Sequence, residues 1–397
     1  MVRPRLRALA VVLASAPPPR PLALWAGLFL LTGSFAAFGG PRFMPDSATY
    51  EFWADRLIAE RFDLSLLVPE HGSPLGLTYV LFVALVALLK LAFGPAWAWA
   101  LIMLAAASVA AVGALLARLA HRITGSGLAA WSAAGMFAAS FDVLQWVPRV
   151  GSDSIFLLFA YLVFLMEAHR ILDGRGLWSP VFAASAAASL FRPTGIVLFP
   201  ISLWSFTLSR TRAQPKARAR LLLLLLLLAF AAAAALALFW QDAARWPFGF
   251  AAGEVEAIAR GYGEGQVVWD RRETYHAPPA ALADYWRISL DRFLHFFAPG
   301  AAAYSPAHWA AQALFFAPVY LLGGWFTVQL ARGKAGLGHR ESDACFAAIG
   351  AILAYAVFHG VVQIDYDWRY RIPVMPHFIL LAACGVSLLA KPWRSPA

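Results

Sequence analysis

The chain has 397 residues, of which 61% are hydrophobic and only 14% are charged, and its mean hydropathy is +0.65. Soluble domains are less apolar and carry about 25% charged residues. The composition therefore excludes a soluble globular protein and predicts a polytopic membrane protein. The formal net charge of +10 does not indicate nucleic-acid binding, because the Lys and Arg residues of membrane proteins collect in cytoplasmic loops.

Apolar segments long enough to cross a bilayer follow one another along most of the chain. About twenty apolar residues span the hydrocarbon core. The candidate segments are 21–40, 75–93, 97–117, 127–147, 154–169, 177–191, 195–209, 221–240, 309–331, 344–363 and 370–390. Two of these segments, 177–191 and 195–209, are short. We predict that they form a tilted pair that meets near Arg192 and Pro193.

The basic residues predict the orientation of these segments. More than half of the 32 Lys and Arg residues, but few of the 22 acidic residues, fall in one set of segments. That set is 1–20, 118–126, 170–176, 210–220, 332–343 and 391–397. The positive-inside rule places these segments in the cytoplasm, together with both termini.

This orientation requires that one apolar segment does not cross the membrane. Residues 41–74 face outward and residues 118–126 face inward, yet two apolar segments lie between them. We predict that 75–93 lies along the outer leaflet or dips into it, whereas 97–117 crosses. The total is about ten transmembrane helices. The outer loop 241–308 is too long for a simple connection and suggests a substrate-facing role.

The stretch MPDSATYEFWAD brings carboxylates to the outer surface directly after the first span. Apolar and aromatic residues, including Tyr50, recur near helical spacing and predict an amphipathic helix in the interface. Asp46 suits the N-cap of this helix. It is either a solvated surface carboxylate or a functional group that the helix holds at a fixed height.

Two further ionisable residues lie at the ends of predicted spans. Asp153, in VGSDSIFLLFAYLVF, is either a helix cap or a second carboxylate that faces Asp46, because charged groups at membrane depth often mark substrate sites. Arg192, in SLFRPTGIVLFP, precedes the helix-breaking Pro193. It either extends to lipid headgroups or binds a substrate phosphate.

Arginines also gather at the outer mouth of the last span, in QIDYDWRYRIPVMP. Outer arginines oppose the positive-inside tendency, so Arg369 and Arg371 call for a reason. Their aromatic neighbours, such as Tyr370, could form a plain interfacial belt, or the guanidinium groups could bind a phosphate. Outer carboxylates opposite outer arginines suit a lipid-linked phosphate ester that enters from the bilayer. The arginines would bind its phosphate, and a carboxylate would take a proton from an acceptor.

At these positions the sequence resembles the GT-C glycosyltransferases, above all the protein O-mannosyltransferases and the lipid A aminoarabinose transferase. PDSATYEFWADRLIAERFD resembles their first outer loop, with Asp46 and Tyr50 as the matching residues. PEHGSPLGLTYVLFVALVALLKLAFG resembles their juxtamembrane element, with Glu70 and Pro74 as the matches. The family often carries a second acid where this chain has Ser47. Its large soluble C-terminal domain has no counterpart here.

Two later motifs extend the resemblance. VGSDSIFLLFAYLVF resembles the second acidic motif, with Asp153 as the match. The stretch from Arg369 to Pro376 resembles an Arg-Tyr…Pro…Pro motif that opens a late span. The resemblance implies a GT-C-type helical bundle with outer juxtamembrane helices. It implies the divisions 1–20 (basic cytoplasmic N-terminus), 21–240 (transmembrane catalytic module with the first outer loop 41–96), 241–308 (periplasmic loop) and 309–397 (C-terminal transmembrane helices).

The resemblance also implies an inverting glycosyltransferase of the bacterial inner membrane, with its active site facing the periplasm. The expected partners are a polyprenyl-phosphate sugar donor, a lipid, glycan or protein acceptor, and membrane lipids. The expected catalytic residues are Asp46 and Asp153. The expected substrate-binding residues are Tyr50, Glu70, His71, Arg192, Arg369, Tyr370 and Arg371. A divalent cation, Mg²⁺ or Mn²⁺, stays open. The alternatives are a lipid-linked sugar flippase or transporter and an O-antigen-type polymerase.

Overall fold

A computed structural model describes residues 17–67, 79–211, 282–300, 305–361 and 368–390. Several sequence predictions fall outside these residues. They concern the span 221–240, most of the loop 241–308, and the candidate residues Glu70, His71 and Pro74.

The described residues are helical apart from short connections, and they contain no strand beyond one isolated bridge between Arg42 and Arg149. The α-helices are α1 (Pro21–Gly39), α2 (Pro45–Ala59), α3 (Val80–Phe93), α4 (Trp97–Thr124), α5 (Gly127–Ala138), α6 (Phe141–Leu144), α7 (Asp153–Asp173), α8 (Ser179–Phe191), α9 (Leu198–Arg210), α10 (Leu282–Phe296), α11 (Pro306–Ala331), α12 (His339–Val361) and α13 (Met375–Ala390). Short 3₁₀ segments cover Leu64–Leu67, Gly94–Ala96, Pro193–Val197 and Trp368–Val374. The prediction of an all-α protein is confirmed.

Within the described ranges, six helical stretches are long and apolar enough to cross a membrane. They are Pro21–Gly39, Val80–Thr124, Asp153–Asp173, Pro306–Ala331, His339–Gly360 and Arg369–Ala390. Two shorter apolar helices, α5 and α8, accompany them. The fold is therefore that of a helical membrane protein, as the composition predicts.

Contacts between helices identify the two ends of the helical bundle. At the Asp173 face, Arg122 pairs with Asp173, and Arg340 donates 3.0 Å hydrogen bonds to the carbonyls of Leu172 and Asp173. Three of the segments predicted to be cytoplasmic, 118–126, 170–176 and 332–343, therefore lie together. The opposite end, which we call the Asp46 face, is where α1 ends and α7 begins.

Helix α3 packs along the short helix α2 at the Asp46 face. Near the start of α3, the Tyr79 ring lies 5.3 Å from the Tyr50 ring. Near its end, Lys90 Nζ lies 3.1 Å from Glu51 and 2.6 Å from Asp55. Both ends of α3 therefore contact α2, which has 15 residues. The chain then turns through Gly94–Ala96 into α4.

The predicted span 127–147 is shorter in the structure than in the sequence analysis. Helix α5 ends at Ala138, and the extended backbone of Ser140 (φ −73°, ψ 93°) separates it from the four-residue helix α6. The break turns Asp142 into the protein interior, where it is buried.

Helices α8 and α9 form a hairpin that bends at Arg192 and Pro193, as predicted. The Oγ atoms of Ser185 on α8 and Ser202 on α9 lie 3.1 Å apart, which fixes the two arms side by side. Gly195 permits the tight bend, because a Cβ there would lie 2.6 Å from the Ala188 carbonyl group. The hairpin thus places Arg192 at its tip.

Candidate functional site

The loop before α2 is joined to the loop before α7. Arg42 N donates to Pro148 O at 2.8 Å, and Val150 N donates to Arg42 O at 2.9 Å. Ser47 adds a side-chain link, since its Oγ donates to Val150 O at 2.6 Å. These contacts hold the start of α2, which carries Asp46, beside the start of α7, which carries Asp153.

Asp46 lies in the first turn of α2 and is not its N-cap, which corrects the sequence prediction. The N-cap is Met44, because Pro45 begins the helix. The cap is closed by Ser47, whose Oγ accepts a 2.8 Å hydrogen bond from Met44 N. Ser47 is fully buried. The Asp46 side chain therefore does not cap the helix. It points outward, and 51% of it is exposed.

Asp153 and Arg192 form a buried ion pair. Arg192 Nη1 lies 2.7 Å from Asp153 Oδ1 and donates to Ser152 Oγ at 3.0 Å. Only 9% of the Asp153 side chain and 6% of the Arg192 side chain are exposed. The α8–α9 hairpin thus places the Arg192 guanidinium at the start of α7, where Asp153 and Ser152 bind it.

Arg369 brings the C-terminal part of the chain to Asp46. Its Nη1 lies 3.2 Å from Asp46 Oδ2, and 17% of its side chain is exposed. The guanidinium carbon lies 5.2 Å from the centre of the Tyr370 ring, and that of Arg192 lies 5.7 Å from the same ring. Tyr370 therefore has a guanidinium group of each ion pair near its ring, a favourable cation–π arrangement. We call Asp46, Asp153, Arg192, Arg369 and Tyr370 the Tyr370 cluster.

Two buried tyrosines adjoin the Tyr370 cluster. Burial raises the pKa of Tyr50, and the nearby Arg192 partly opposes this change. Burial also raises the pKa of Tyr79, again with Arg192 as the main opposing charge. Both phenols are therefore neutral at physiological pH. Tyr50 is a predicted site residue. Tyr79 is not, because it precedes an apolar run with no motif of its own.

Arg371, by contrast, lies in a separate network. It pairs with Asp142, to which its Nε donates at 3.1 Å, and its Nη1 donates to Phe296 O at 3.0 Å and to Ala298 O at 2.6 Å. Gln312 Nε2 donates to the other Asp142 oxygen at 2.7 Å. The Arg371 side chain is 1% exposed. The structure therefore does not bring this predicted phosphate ligand to the Tyr370 cluster.

The structure thus brings together six predicted site residues: Asp46, Tyr50, Asp153, Arg192, Arg369 and Tyr370. Sequence reasoning missed the contacts of Ser47, Ser152 and Tyr79. The adjacency of Ser152 to Asp153 is the one local signal that could have indicated a joint role.

The chemistry of the cluster is that of an anion site with a carboxylate at its rim. The Arg369 guanidinium can bind phosphate oxygens beside the buried charge of Arg192, and Asp46 can accept a proton from solvent-side groups. Among the described residues, no three His, Cys, Asp or Glu side chains are grouped to hold a metal ion. No protein-family model, curated protein or solved structure is significantly similar to this chain.

Proposed function

We propose that this protein is an inverting glycosyltransferase of the GT-C type. It moves a sugar from a polyprenyl-phosphate donor to an acceptor at the outer face of a bacterial inner membrane. The observation that carries the proposal is the Tyr370 cluster, in which Asp46 lies 3.2 Å from Arg369 at one end of an apolar helical bundle. A lipid-linked phosphate ester needs cationic groups at headgroup level, and sugar transfer needs a nearby base.

Orientation follows from the basic loops. Because 118–126, 170–176 and 332–343 share the Asp173 face and are rich in Lys and Arg, that face is the cytoplasmic one in this proposal. The Asp46 face is then periplasmic. We also infer that α3 does not cross, since both of its ends contact α2. About ten crossings with both termini in the cytoplasm remain part of the proposal.

In the proposed reaction, Asp46 takes the proton of an acceptor hydroxyl. The acceptor oxygen forms a bond to the anomeric carbon while the bond from that carbon to the phosphate oxygen breaks. The configuration inverts, and polyprenyl phosphate leaves with the electron pair. General-base catalysis of this kind contributes about 10²–10⁴-fold.

The guanidinium groups stabilise the charge that develops on the leaving phosphate. Fixed positive groups at such a charge are often the largest catalytic contribution. Arg369 is the main phosphate ligand in this proposal because it is the more exposed arginine of the cluster. Arg192 contributes its field, and Asp153 positions Arg192. We do not retain Arg371 as a ligand, because Asp142 and backbone carbonyls already accept its hydrogen bonds. The acceptor class stays open between lipid, glycan and protein.

A second candidate is a lipid-linked sugar transporter. It is favoured by Glu167, a fully buried carboxylate within α7 that accepts hydrogen bonds from Ser202 at 2.6 Å and from Ser205 at 2.7 Å. Carboxylates inside spans often mark transport paths. An O-antigen-type polymerase would rely instead on Arg271 and Arg272 of the loop 241–308, which lie outside the described residues.

The test is sugar transfer by the purified protein in nanodiscs, with Asp46→Asn as the variant. Release of free polyprenyl phosphate with sugar on a non-repeat acceptor identifies a transferase. Movement of intact donor across the bilayer identifies a transporter, and extension of a repeat polymer identifies a polymerase. We expect Asp46→Asn to lower turnover by about 10²–10⁴-fold.

The matched control is Asp55→Asn. Asp55 also lies on α2 and also pairs with a basic residue, Lys90, but it is outside the Tyr370 cluster. We expect near-normal turnover from this control. Near-normal turnover of Asp46→Asn would rule out its role as the base.

A further inference from the structure

The two ion pairs that flank Tyr370 differ in how easily they can be opened. Arg192 and Asp153 are both buried, and Ser152 supports them with a further hydrogen bond. Removing one partner of a buried pair leaves an uncompensated charge, which is strongly destabilising. Arg369 and Asp46 are joined at 3.2 Å through one nitrogen, and half of the Asp46 side chain is exposed. Exposed pairs of this kind contribute little to stability.

A phosphate monoester is a stronger partner for Arg369 than Asp46 is. It carries more negative charge than a carboxylate at neutral pH and presents three acceptor oxygens. A planar guanidinium can bind two of those oxygens at once. Opening the existing pair therefore costs less than the new contact supplies. The freed carboxylate meets no desolvation penalty, because it already lies at the solvent-exposed rim.

We propose that the ion pair between Asp46 and Arg369 is a latch that a membrane-borne phosphate monoester opens by taking over Arg369. While the pair is closed, Asp46 is tied to a cation. When phosphate occupies Arg369, Asp46 is released toward the acceptor side. The competition itself requires only an anion at Arg369. Its place in catalysis rests on the proposed glycosyltransferase function, in which this monoester is the polyprenyl phosphate that sugar transfer releases.

The arrangement explains why two ion pairs surround one aromatic ring. The buried pair keeps Arg192 in place whether or not a ligand is present, so the positive field of the site is permanent. The exposed pair is closed only in the absence of ligand. In the empty site, the Asp46 carboxylate therefore stays paired with Arg369.

The competition predicts that removal of the carboxylate strengthens binding of the anion. The experiment measures binding of undecaprenyl phosphate to the purified full chain in nanodiscs, by tryptophan fluorescence or native mass spectrometry. Asp46→Asn should bind about two- to five-fold more tightly than the wild type, the equivalent of losing an exposed ion pair. Arg369→Gln should bind more weakly, and Asp55→Asn should bind as the wild type does.

Two further arms identify the source of the phosphate. The same measurement is made with dioleoyl phosphatidic acid and with inorganic phosphate. Tighter binding by Asp46→Asn of either lipid supports the latch. A gain confined to inorganic phosphate would overturn the assignment of a membrane-borne ligand. Unchanged or weaker binding of every probe by Asp46→Asn, with wild-type thermal stability, would overturn the latch.

The latch and the proposed function can fail separately. If sugar transfer is observed but Asp46→Asn does not tighten binding of undecaprenyl phosphate, the latch is wrong and the transferase stands. If Asp46→Asn tightens binding but no transfer is found with any acceptor, the anion latch stands and the transferase is wrong.

Discussion

Arg369 and Arg371 are two residues apart in the same 3₁₀ segment, yet their surroundings are opposite. Arg369 lies near the surface with a half-exposed Asp46, whereas Arg371 is enclosed by Asp142, Gln312 and backbone carbonyls. A 3₁₀ helix has three residues per turn, so side chains two apart point in different directions. One short motif thus supplies an arginine near the surface and another that ties the helices together.

The same contrast separates the carboxylates. Half of the Asp46 side chain is exposed, whereas the Asp142 side chain is buried and has no solvent to replace a lost arginine. Exposure, more than residue type, therefore distinguishes the ion pair that we propose for binding from the one that we expect to serve stability. Four substitutions test this comparison, beginning with the largest expected loss of stability.

The variant Arg371→Met should be the most destabilising. It leaves the Asp142 carboxylate buried without its cation and removes the links to Phe296 and Ala298. We expect a loss of about 3–5 kcal/mol in the free energy of unfolding, measured by reversible denaturation in detergent micelles. The double variant Asp142→Leu, Arg371→Met should recover much of this loss. Equal stability of the single variant and the wild type would contradict the structural role.

The variant Asp153→Asn should be the next most destabilising. It removes one charge of the buried pair, but Ser152 and the Tyr370 ring still accompany Arg192. We expect a loss of about 2–3 kcal/mol, as for a hydrogen bond to a charged group, by the same unfolding measurement. Asp173→Asn is the control, because Asp173 pairs with Arg122 at an exposed position. If both variants lose equally little, burial does not distinguish the pairs.

The variant Ser47→Ala should have an intermediate effect. It removes the hydrogen bond that closes the N-terminus of α2 and leaves Val150 O without its 2.6 Å donor. We expect a loss of about 1–2 kcal/mol, measured by thermal unfolding. Ser47→Asp should be worse than Ser47→Ala, since it buries a negative charge against the Val150 carbonyl oxygen. Tolerance of Ser47→Asp would show that the loop before α7 can move away.

The variant Asp46→Asn should have the smallest effect on stability, below about 1 kcal/mol, because its ion pair is half exposed. It should nevertheless lower sugar transfer by about 10²–10⁴-fold if Asp46 is the base. The thermal midpoint and the turnover of one preparation are compared. If the thermal midpoint falls as strongly as the turnover, the loss of activity is due to unfolding. Asp46 would then be a stabilising residue, as Arg371 is expected to be.

Much of the candidate site could be predicted because its residues sit at recognisable places in a local pattern. A carboxylate, an arginine or a helix break at the end of an apolar segment stands out from its neighbours, which singled out Asp46, Asp153, Arg192 and Arg369. Pairing could not be predicted in the same way. Asp46 and Arg369 are separated by 323 positions, and only the packing of the helices between them decides that they meet.

By itself, the sequence determined the membrane class, the helical fold, the bend at Arg192 and the shared face of the basic loops. These properties depend on hydropathy and charge, which act locally and add along the chain. The tertiary structure decided the break after α5, the capping role of Ser47, and the assignment of Arg369 to Asp46 and of Arg371 to Asp142. Those outcomes depend on burial, and burial is set by which distant helices pack together rather than by any single segment.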